Sequence, residues 1–340
     1  RWGSGKVGGI SVGGRRPARA SSLFTPPVMA NEIRVEPMPT WAPSGKPASA
    51  WSLFVEHHPV LVFTLPAAVV VFVLMVFPVF YTVYMSLHSW FASSLTAPEF
   101  IGLQNFKRAF TQDERFRNAI WLTLYFTALA TALQVVLGVS LALLLNRPFR
   151  GKGFFRSIFL LPMVATPVAI ALVWMMMYNP TLGVMNYLVG LVGLGPYKWV
   201  SDVRFVIPAL AAVDTWEWTP LITLITLAGL ATLPLEPYES ALIDGATPAQ
   251  MFWRITLPLL RPTIMVALLF RSIDCLKTFD IIFVMTAGGP GFASETLNVY
   301  TFQVGLFYFH IGYASSLLVI LFALVLGVSL ILIKVRRGAW

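Results

Sequence analysis

Six apolar segments, each long enough to cross a lipid bilayer, constrain this chain more than any other feature: residues 60–86, 119–145, 155–178, 205–230, 263–286 and 313–334. Crossing about 30 Å of hydrocarbon takes roughly 20 helical residues. Lipid offers the backbone no hydrogen-bond partner, so segments of this length, rich in Leu, Val, Ala and Phe, are expected to be helices. The expected fold class is an all-α, polytopic transmembrane helical bundle of six spans. Composition agrees, with 57% hydrophobic and 11% charged residues and a mean hydropathy of +0.75, outside the range of soluble domains. Pro162 and Pro167 are expected to bend the third span. No repeat of 20–50 residues is visible, which removes solenoids and propellers.

Cationic residues set the expected orientation. The link after the second span carries Arg147, Arg150, Lys152 and Arg156 without an acid, and the C-terminal end carries Lys334, Arg336 and Arg337. Six spans place both on one side, with the N-terminal tail, and the positive-inside rule makes that side the cytoplasm. The first external loop is mixed, Lys107, Arg108, Arg115 and Arg117 being offset by Glu99, Asp113 and Glu114. The formal charge of +9 is accounted for by this topology, so no nucleic-acid partner is expected. The single cysteine, Cys275, excludes an intrachain disulfide. Residues 1–58 are expected to be a disordered cytoplasmic tail. The first part, RWGSGKVGGISVGGRRPARASS, has no apolar stripe, and residues 1–28 read as an upstream extension or gene-model artefact ahead of Met29 or, loosely, as a transit peptide.

Between the fourth and fifth spans lies a polar interruption, LEPYESALIDGATPAQMFWRITLPLLRP, residues 235–262. It reads as two short helices with a hinge. Pro237 suits a first helical turn, and Gly245 sits where a left-handed residue closes the last carbonyls. Thr247, Pro248 and Gln250 then form a T-P-x-Q capping box that opens the second helix. The order Glu239-Ser240-Ala241, three residues, Gly245, nine residues, Ile255-x-Leu257-Pro258 closely resembles the "EAA" loop of ATP-binding-cassette (ABC) importer permeases, with Ser240 in place of the usual first alanine.

Ionisable groups within apolar segments are costly, about 2.5–3.5 kcal/mol each at a helix centre, and are expected to face a cavity or a partner. At about 100° per residue, Asp214, Glu217 and Trp218 share one face of the fourth span while Trp216 points away. Carboxylates beside an indole suit a polyhydroxylated ligand, since the acids accept hydroxyl hydrogen bonds and the ring covers an apolar sugar face; pairing of the acids to a neighbouring helix is the competing reading. The fifth span carries Arg271, Asp274, Lys277 and Asp280 at intervals of three, a spiral in which each can pair with the next. The stretch FDIIFVMTAGGPGFASETL, from Phe279 to Leu297, closely resembles the FDxxxxxTxGGP signature of carbohydrate permeases. Phe100 to Phe106 resembles their FxGLxNF segment and, with Phe110 and Phe116, reads as an amphipathic piece at the outer surface, either an interfacial aromatic anchor or a docking site. Trp174, Asn179, Gly183 and Asn186 resemble the same family.

No G-x-x-x-x-G-K-[ST] occurs, so the chain has no P-loop of its own. The histidines His57, His58, His88 and His310 show no metal-ligand spacing. What the resemblance implies is the membrane subunit of a binding-protein-dependent importer, with the fold of type I ABC importer permeases: a first transmembrane helix at 59–88 and a five-helix core at 117–335 containing the coupling loop 235–262. The implied partners are a second homologous permease, two ABC ATPase subunits that bind ATP and Mg, and an external solute-binding protein. The protein would lie in the bacterial cytoplasmic (inner) membrane with both termini cytoplasmic and bind no cofactor itself. The implied solute is a sugar or polyol, with glycerol phosphate the alternative. The ATPase-coupling residues would be Glu239, Ser240, Ala241, Asp244, Gly245, Ile255, Leu257 and Pro258. The candidate path residues are Asp214, Glu217, Trp218, Asp274, Lys277 and Asp280. A membrane enzyme would need an acid-rich catalytic loop at the interface, and an ATP-independent secondary carrier would show inverted halves and need no docking loop.

Overall fold

The structure, a computed structural model, describes residues 59–94 and 96–337. The expected tail 1–58 and the pair His57-His58 lie outside them. The chain divides into two units, Arg1–Leu65 and Pro66–Trp340; helix α1 begins in the first, and every later element belongs to the second.

Helix α1 (Pro59–Val71), a π-helical turn (Phe72–Val76) and α2 (Phe77–Ser86) run without a break. A similar π turn (Phe252–Thr256) precedes α11 (Leu257–Lys277). Both have one cause. Pro78 and Pro258 sit at the start of the following helices, and a proline neither donates to the carbonyl four residues back nor fits against it; the wider π turn relieves the clash. A two-stranded ribbon, β1 (His88–Ser89) antiparallel to β2 (Glu99–Phe100), leads into the short helix α3 (Gln104–Gln112). Helix α4 (Glu114–Asn146) has 33 residues and opens on Asp113, whose side chain accepts from the Phe116 N–H.

The third apolar segment is broken more sharply than a proline bend. It forms α5 (Lys152–Val164) and α6 (Pro167–Met177), which meet at 98°. Pro167 starts α6, and its ring disfavours the helical conformation for the residue before it; Ala165 and Thr166 are both extended, with ψ 153° and 136°. A short helix α7 (Val184–Gly190) and a 3-10 turn (Trp199–Ser201) follow, then α8 (Val206–Ala231), α9 (Glu236–Ile243), α10 (Pro248–Met251), the π turn and α11. The fifth segment also departs from expectation. Its helix stops at Lys277 and resumes as α12 (Asp280–Thr286), because Thr278 (ψ 126°) and Phe279 (φ −128°) leave the helical region. Helix α13 (Leu297–Phe302), a third π turn (Gln303–Phe307) and α14 (Ile311–Arg337) complete the described chain.

Among the described residues, three helices are long and apolar enough to cross a membrane, Val62–Ser86, Glu114–Asn146 and Ile311–Arg336, rising to five if each of two bent pairs is one span. The core is built on α4 and α8, with α6, α11 and α12 packed about them through Phe126, Ile170, Leu210, Val213, Cys275 and Ile282. A second cluster, Ala109, Phe116, Leu297, Tyr300, Tyr313 and Leu317, joins α3, α4, α13 and α14. Helix α2 packs along α14, while Val79, Phe80 and Tyr81 remain exposed, an apolar surface suited to lipid or a protein partner.

Gly312, in the first turn of α14, lies against the β1 backbone: an added Cβ would stand 2.0 Å from the His88 carbonyl oxygen. Gly312→Ala is therefore expected to cost about 1–3 kcal/mol, whereas Gly327→Ala, with nothing within 4 Å, is expected to stabilise the same helix by up to about 1 kcal/mol. Thermal unfolding in detergent checks the opposite signs.

Candidate functional site

Arg271 is the largest fully buried side chain among the described residues, and a guanidinium in that position requires partners. On α11 it reaches across to α8 and α4. Its Nη2 donates to Asp214 Oδ2 at 2.9 Å and its Nε to Gln134 Oε1 at 2.9 Å, while Gln134 Nε2 donates to the same Asp214 oxygen at 2.7 Å. The Gln134 amide also reaches the Asp214 carbonyl at 3.1 Å. Cys275, one turn after Arg271, completes the group at 3.2 Å from Arg271 Nη2 and 3.5 Å from Asp214 Oδ2. Trp218 lies one turn beyond Asp214 on the same face of α8, and the guanidinium stands 4.7 Å from its ring centroid. The pairing read as the alternative for Asp214 is thus the one present.

Around this group opens a cavity of about 280 Å³ lined by Asp214, Trp218, Asp274, Lys277 and Asp280, together with Pro167, Thr278 and Phe279. The structure brings together five of the six path residues expected from sequence. The sixth, Glu217, is fully buried, and neither of its carboxylate oxygens finds a hydrogen-bond partner among the described residues. Trp216 points outward and is exposed. The break at Thr278–Phe279 lines the cavity, and Pro167, which follows the break at Ala165–Thr166, lines it too, the setting in which unpaired backbone is tolerated inside an apolar protein. One freed carbonyl, that of Lys277, accepts from Asn298 Nδ2 at 2.7 Å. The charge spiral is cut short by the second break: Asp274 pairs at 3.6 Å with Arg271 and with Lys277, but no Lys277–Asp280 pair forms among the described residues. Asp280 instead begins α12 and remains exposed. Gln134 is not marked in the sequence beyond being one amide in the apolar middle of a long helix.

The loop 235–262 has the two-helix form expected. Helix α9 ends in a reciprocal cap, with the Gly245 N–H on the Leu242 carbonyl at 3.1 Å and the Ala246 N–H on the Ala241 carbonyl at 2.9 Å. This arrangement requires a left-handed residue, and Gly245 has φ +70°. Thr247 and Gln250 form the capping box that opens α10. Tyr238 on α9 donates from its hydroxyl to Thr256 Oγ1 at 3.0 Å, tying the first helix to the start of α11. Glu239, Ser240, Asp244 and Gly245 are exposed, as is Pro258; Ala241, Ile255 and Leu257 are half-buried. Leu242, Ile243 and Trp253 present a bare apolar surface beside them.

At the other end of α4 a polar lock joins distant segments. Arg115 pairs with Glu295 at 2.6 Å and donates to Gln303 at 3.1 Å. Asp113 accepts from the hydroxyls of Tyr300 and Tyr313. Burial works against the Asp113 carboxylate, but the two tyrosines, the Phe116 N–H and the charge of Arg108 outweigh it and hold its pKa below the ordinary value. Asn179 and Asn186 build turns: Asn186 accepts from Tyr197 N–H at 3.0 Å and from the Trp199 indole at 2.8 Å.

Residues 134–336 match the family model described as binding-protein-dependent transport system inner membrane component. The chain is 40% identical over 282 residues to a probable ABC transporter permease protein, y4oQ, of Sinorhizobium fredii, covering 82% of this chain and 90% of that one. It is 37% identical to the trehalose/maltose transport system permease protein MalF of Thermococcus litoralis, covering 80% and 92%. Among solved structures, a bacterial ABC transporter involved in the import of the acidic polysaccharide alginate superimposes with a TM-score of 0.71 at 23% identity, covering 84% of this chain and 98% of that one. The chain belongs to the family of inner membrane components of binding-protein-dependent transport systems: it is an ABC importer permease.

Arg271→Met leaves Asp214 buried without its cation and is expected to cost about 3–5 kcal/mol, of which Asp214→Leu in the same molecule restores about half or more; a double-mutant cycle on thermal unfolding measures this. The depressed Asp113 pKa means its contribution to stability is full above the unfolded value of about 3.9 and is lost as pH falls through the lower folded value. Asp113→Asn should flatten the acid limb of a stability–pH curve and leave its neutral region parallel to wild type.

Proposed function

We propose that this permease carries a neutral sugar or polyol inward, with the cavity at Arg271 as part of its path and the loop 235–262 as the element on which a cytoplasmic ATPase acts. The observation that carries the reading is the cavity lining. One tryptophan face and three side chains with exposed charge, Asp274, Lys277 and Asp280, surround a space at the small end of ligand sites, which run from about 300 Å³ upward. Asp214 and Arg271 satisfy each other, so the wall offers hydrogen bonding of both signs, which suits hydroxyl groups better than a single fixed ion. Relatives named for trehalose/maltose and for sulfoquinovosyl glycerol transport support a sugar or a glycosylated polyol; glycerol phosphate, which Lys277 could meet, is the second reading.

The working assembly is this permease, a homologous second one, two ATPases binding ATP and Mg, and an external binding protein. Six passes, with α5–α6, α8 and α11–α12 each counted as one, would put both ends and the loop 235–262 in the cytoplasm. The exposed Leu242, Ile243 and Trp253 give an ATPase an apolar surface, and Glu239 gives it a polar contact. Ser240, Ala241 and the bare Gly245 permit close approach, while Asp244, Ile255, Leu257 and Pro258 shape the turn and the start of α11.

Gly245→Val places a β-branched residue in the left-handed region. In the reconstituted transporter it is expected to reduce ATP-driven uptake on the order of tenfold or more without comparable loss of solute binding to the external protein; normal uptake with normal ATPase stimulation would sink the coupling role. Asp274→Ala and Asp280→Ala are each expected to raise the KM for uptake on the order of tenfold, the scale of one lost hydrogen bond to a charged group. An unchanged KM for both would remove them from the path.

A further inference from the structure

On the face of the molecule that holds the Asp113–Arg115 lock, a polar cavity of about 470 Å³ lies between β1 and α3, lined by Ser89, Gln104, Lys107, Arg108 and Gln112. Nothing in the transport reading uses it. Every one of these five side chains can donate hydrogen bonds, and none of the cavity's lining residues is acidic. Neither Lys107 nor Arg108 forms an ion pair among the described residues. The Asp113 carboxylate, whose charge interacts with Arg108, is occupied by Tyr300 and Tyr313.

The frame around the cavity is rigid. Asn105, buried on the inner side of α3, donates to the carbonyls of Ser86 and His88 at 2.9 and 3.0 Å, fixing the helix to the end of α2 and to β1. Pairing of His88 with Phe100 closes the ribbon, and Arg108 is held over the Tyr313 ring at 4.5 Å from its centroid. Two unpaired cations held at the edge of a donor-lined hollow suit a phosphate, whose oxygens accept several charge-assisted hydrogen bonds at once.

The source of that phosphate follows from the third face of α3. At about 100° per residue, Leu103 and Phe110 coincide and adjoin the Lys107 side of the cavity face. They are 71% and 57% exposed, and Phe100 in the preceding strand is 67% exposed. A nine-residue helix with one buried face, one bare apolar face and one basic polar face has the pattern of an element lying in the membrane interface, its apolar residues among acyl chains and its cations level with the headgroups. We infer that the Ser89–Gln112 cavity binds the phosphodiester of an anionic phospholipid headgroup, with Leu103 and Phe110 against the chains of that lipid. The identity of the transported solute has no part in this assignment.

The test uses the transporter purified with its partner subunits and placed in nanodiscs of phosphatidylcholine, with and without phosphatidylglycerol. Retained lipid is counted by mass spectrometry, and phosphatidylglycerol affinity is measured by titration in detergent. Wild type is expected to retain phosphatidylglycerol in preference to phosphatidylcholine. Lys107→Gln with Arg108→Gln is expected to weaken it about fivefold per cation, about twenty-fivefold for the pair. Arg117→Gln makes a similar change of charge outside the cavity, at an exposed residue paired with Glu114, and is expected to leave retention unchanged. Equal retention by wild type and the double variant, or equal loss in Arg117→Gln, overturns the inference. Displacement of phosphatidylglycerol by inorganic phosphate at similar concentration would assign the cavity to a free anion instead. Unchanged lipid retention with weakened affinity for the external binding protein would assign it to an acidic protein surface.

Discussion

Burying one guanidinium sets the terms for the rest of this structure. Arg271 stands in an apolar environment where an unpaired charge would cost several kcal/mol, and the chain answers with two partners from two other helices, Asp214 on α8 and Gln134 on α4. Gln134 has a particular part in this. An amide both donates and accepts, so it can bond the cation and the anion together, closing a ring that neither charge could close alone. The polar group therefore fixes the relative height of three helices, which apolar packing, being non-directional, leaves free to slide. Cys275 fills the remaining corner as a small apolar residue with a weak S–H donor.

The ring also decides which charges are left for other purposes. Asp214 and Arg271 are each only about 1–2% exposed, and their charges are spent on each other. Asp274 and Lys277 are about half exposed, and Asp280 stands beyond the helix break. Cavity chemistry is thus displaced from the most buried charges to the next turn of the same helix and the start of the following one. That separation is structurally sensible: the residues that hold the helices in register are not required to release their partners when the cavity fills.

The sequence discloses this arrangement unevenly. The face formed by Asp214, Glu217 and Trp218 follows from helical period alone, and Asp214 and Trp218 do line the cavity. The Gly245 cap and the Thr247–Gln250 box are legible because such caps are local; their hydrogen bonds lie within a few residues of one another. Two things are not legible. The break after Lys277 carries neither proline nor glycine at Thr278–Phe279, so the four charges read as one continuous spiral, and the pairing predicted across the break does not form. The partnership with Gln134 joins residues 137 apart in sequence, and one amide in a long apolar helix has no period to betray it. Proline signals the other break correctly in place and too weakly in degree, since Pro167 both starts a helix and forbids the preceding residue from continuing one.

Two of these three helices, α8 and α11, connect the cavity to the loop at the far end. Helix α8 runs about 20 Å from Trp218 to its end at Ala231, and α11 runs about 21 Å from Leu257 to Arg271, at about 1.5 Å per residue. They are joined at one end by the Arg271–Asp214 pair and at the other by α9, whose Tyr238 hydroxyl bonds Thr256 at the head of α11. Two rods cross-linked at both ends form a closed frame, and a closed frame resists shear. Force applied to α9 in the proposed mechanism would then move α8 and α11 together, carrying one wall of the cavity as a unit. The compliance lies elsewhere, at the extended residues 165–166, next to the lining residue Pro167, and at the lining residues Thr278 and Phe279. The helix breaks are where the cavity wall can change shape, and the buried ring is what keeps that change from becoming a loss of register.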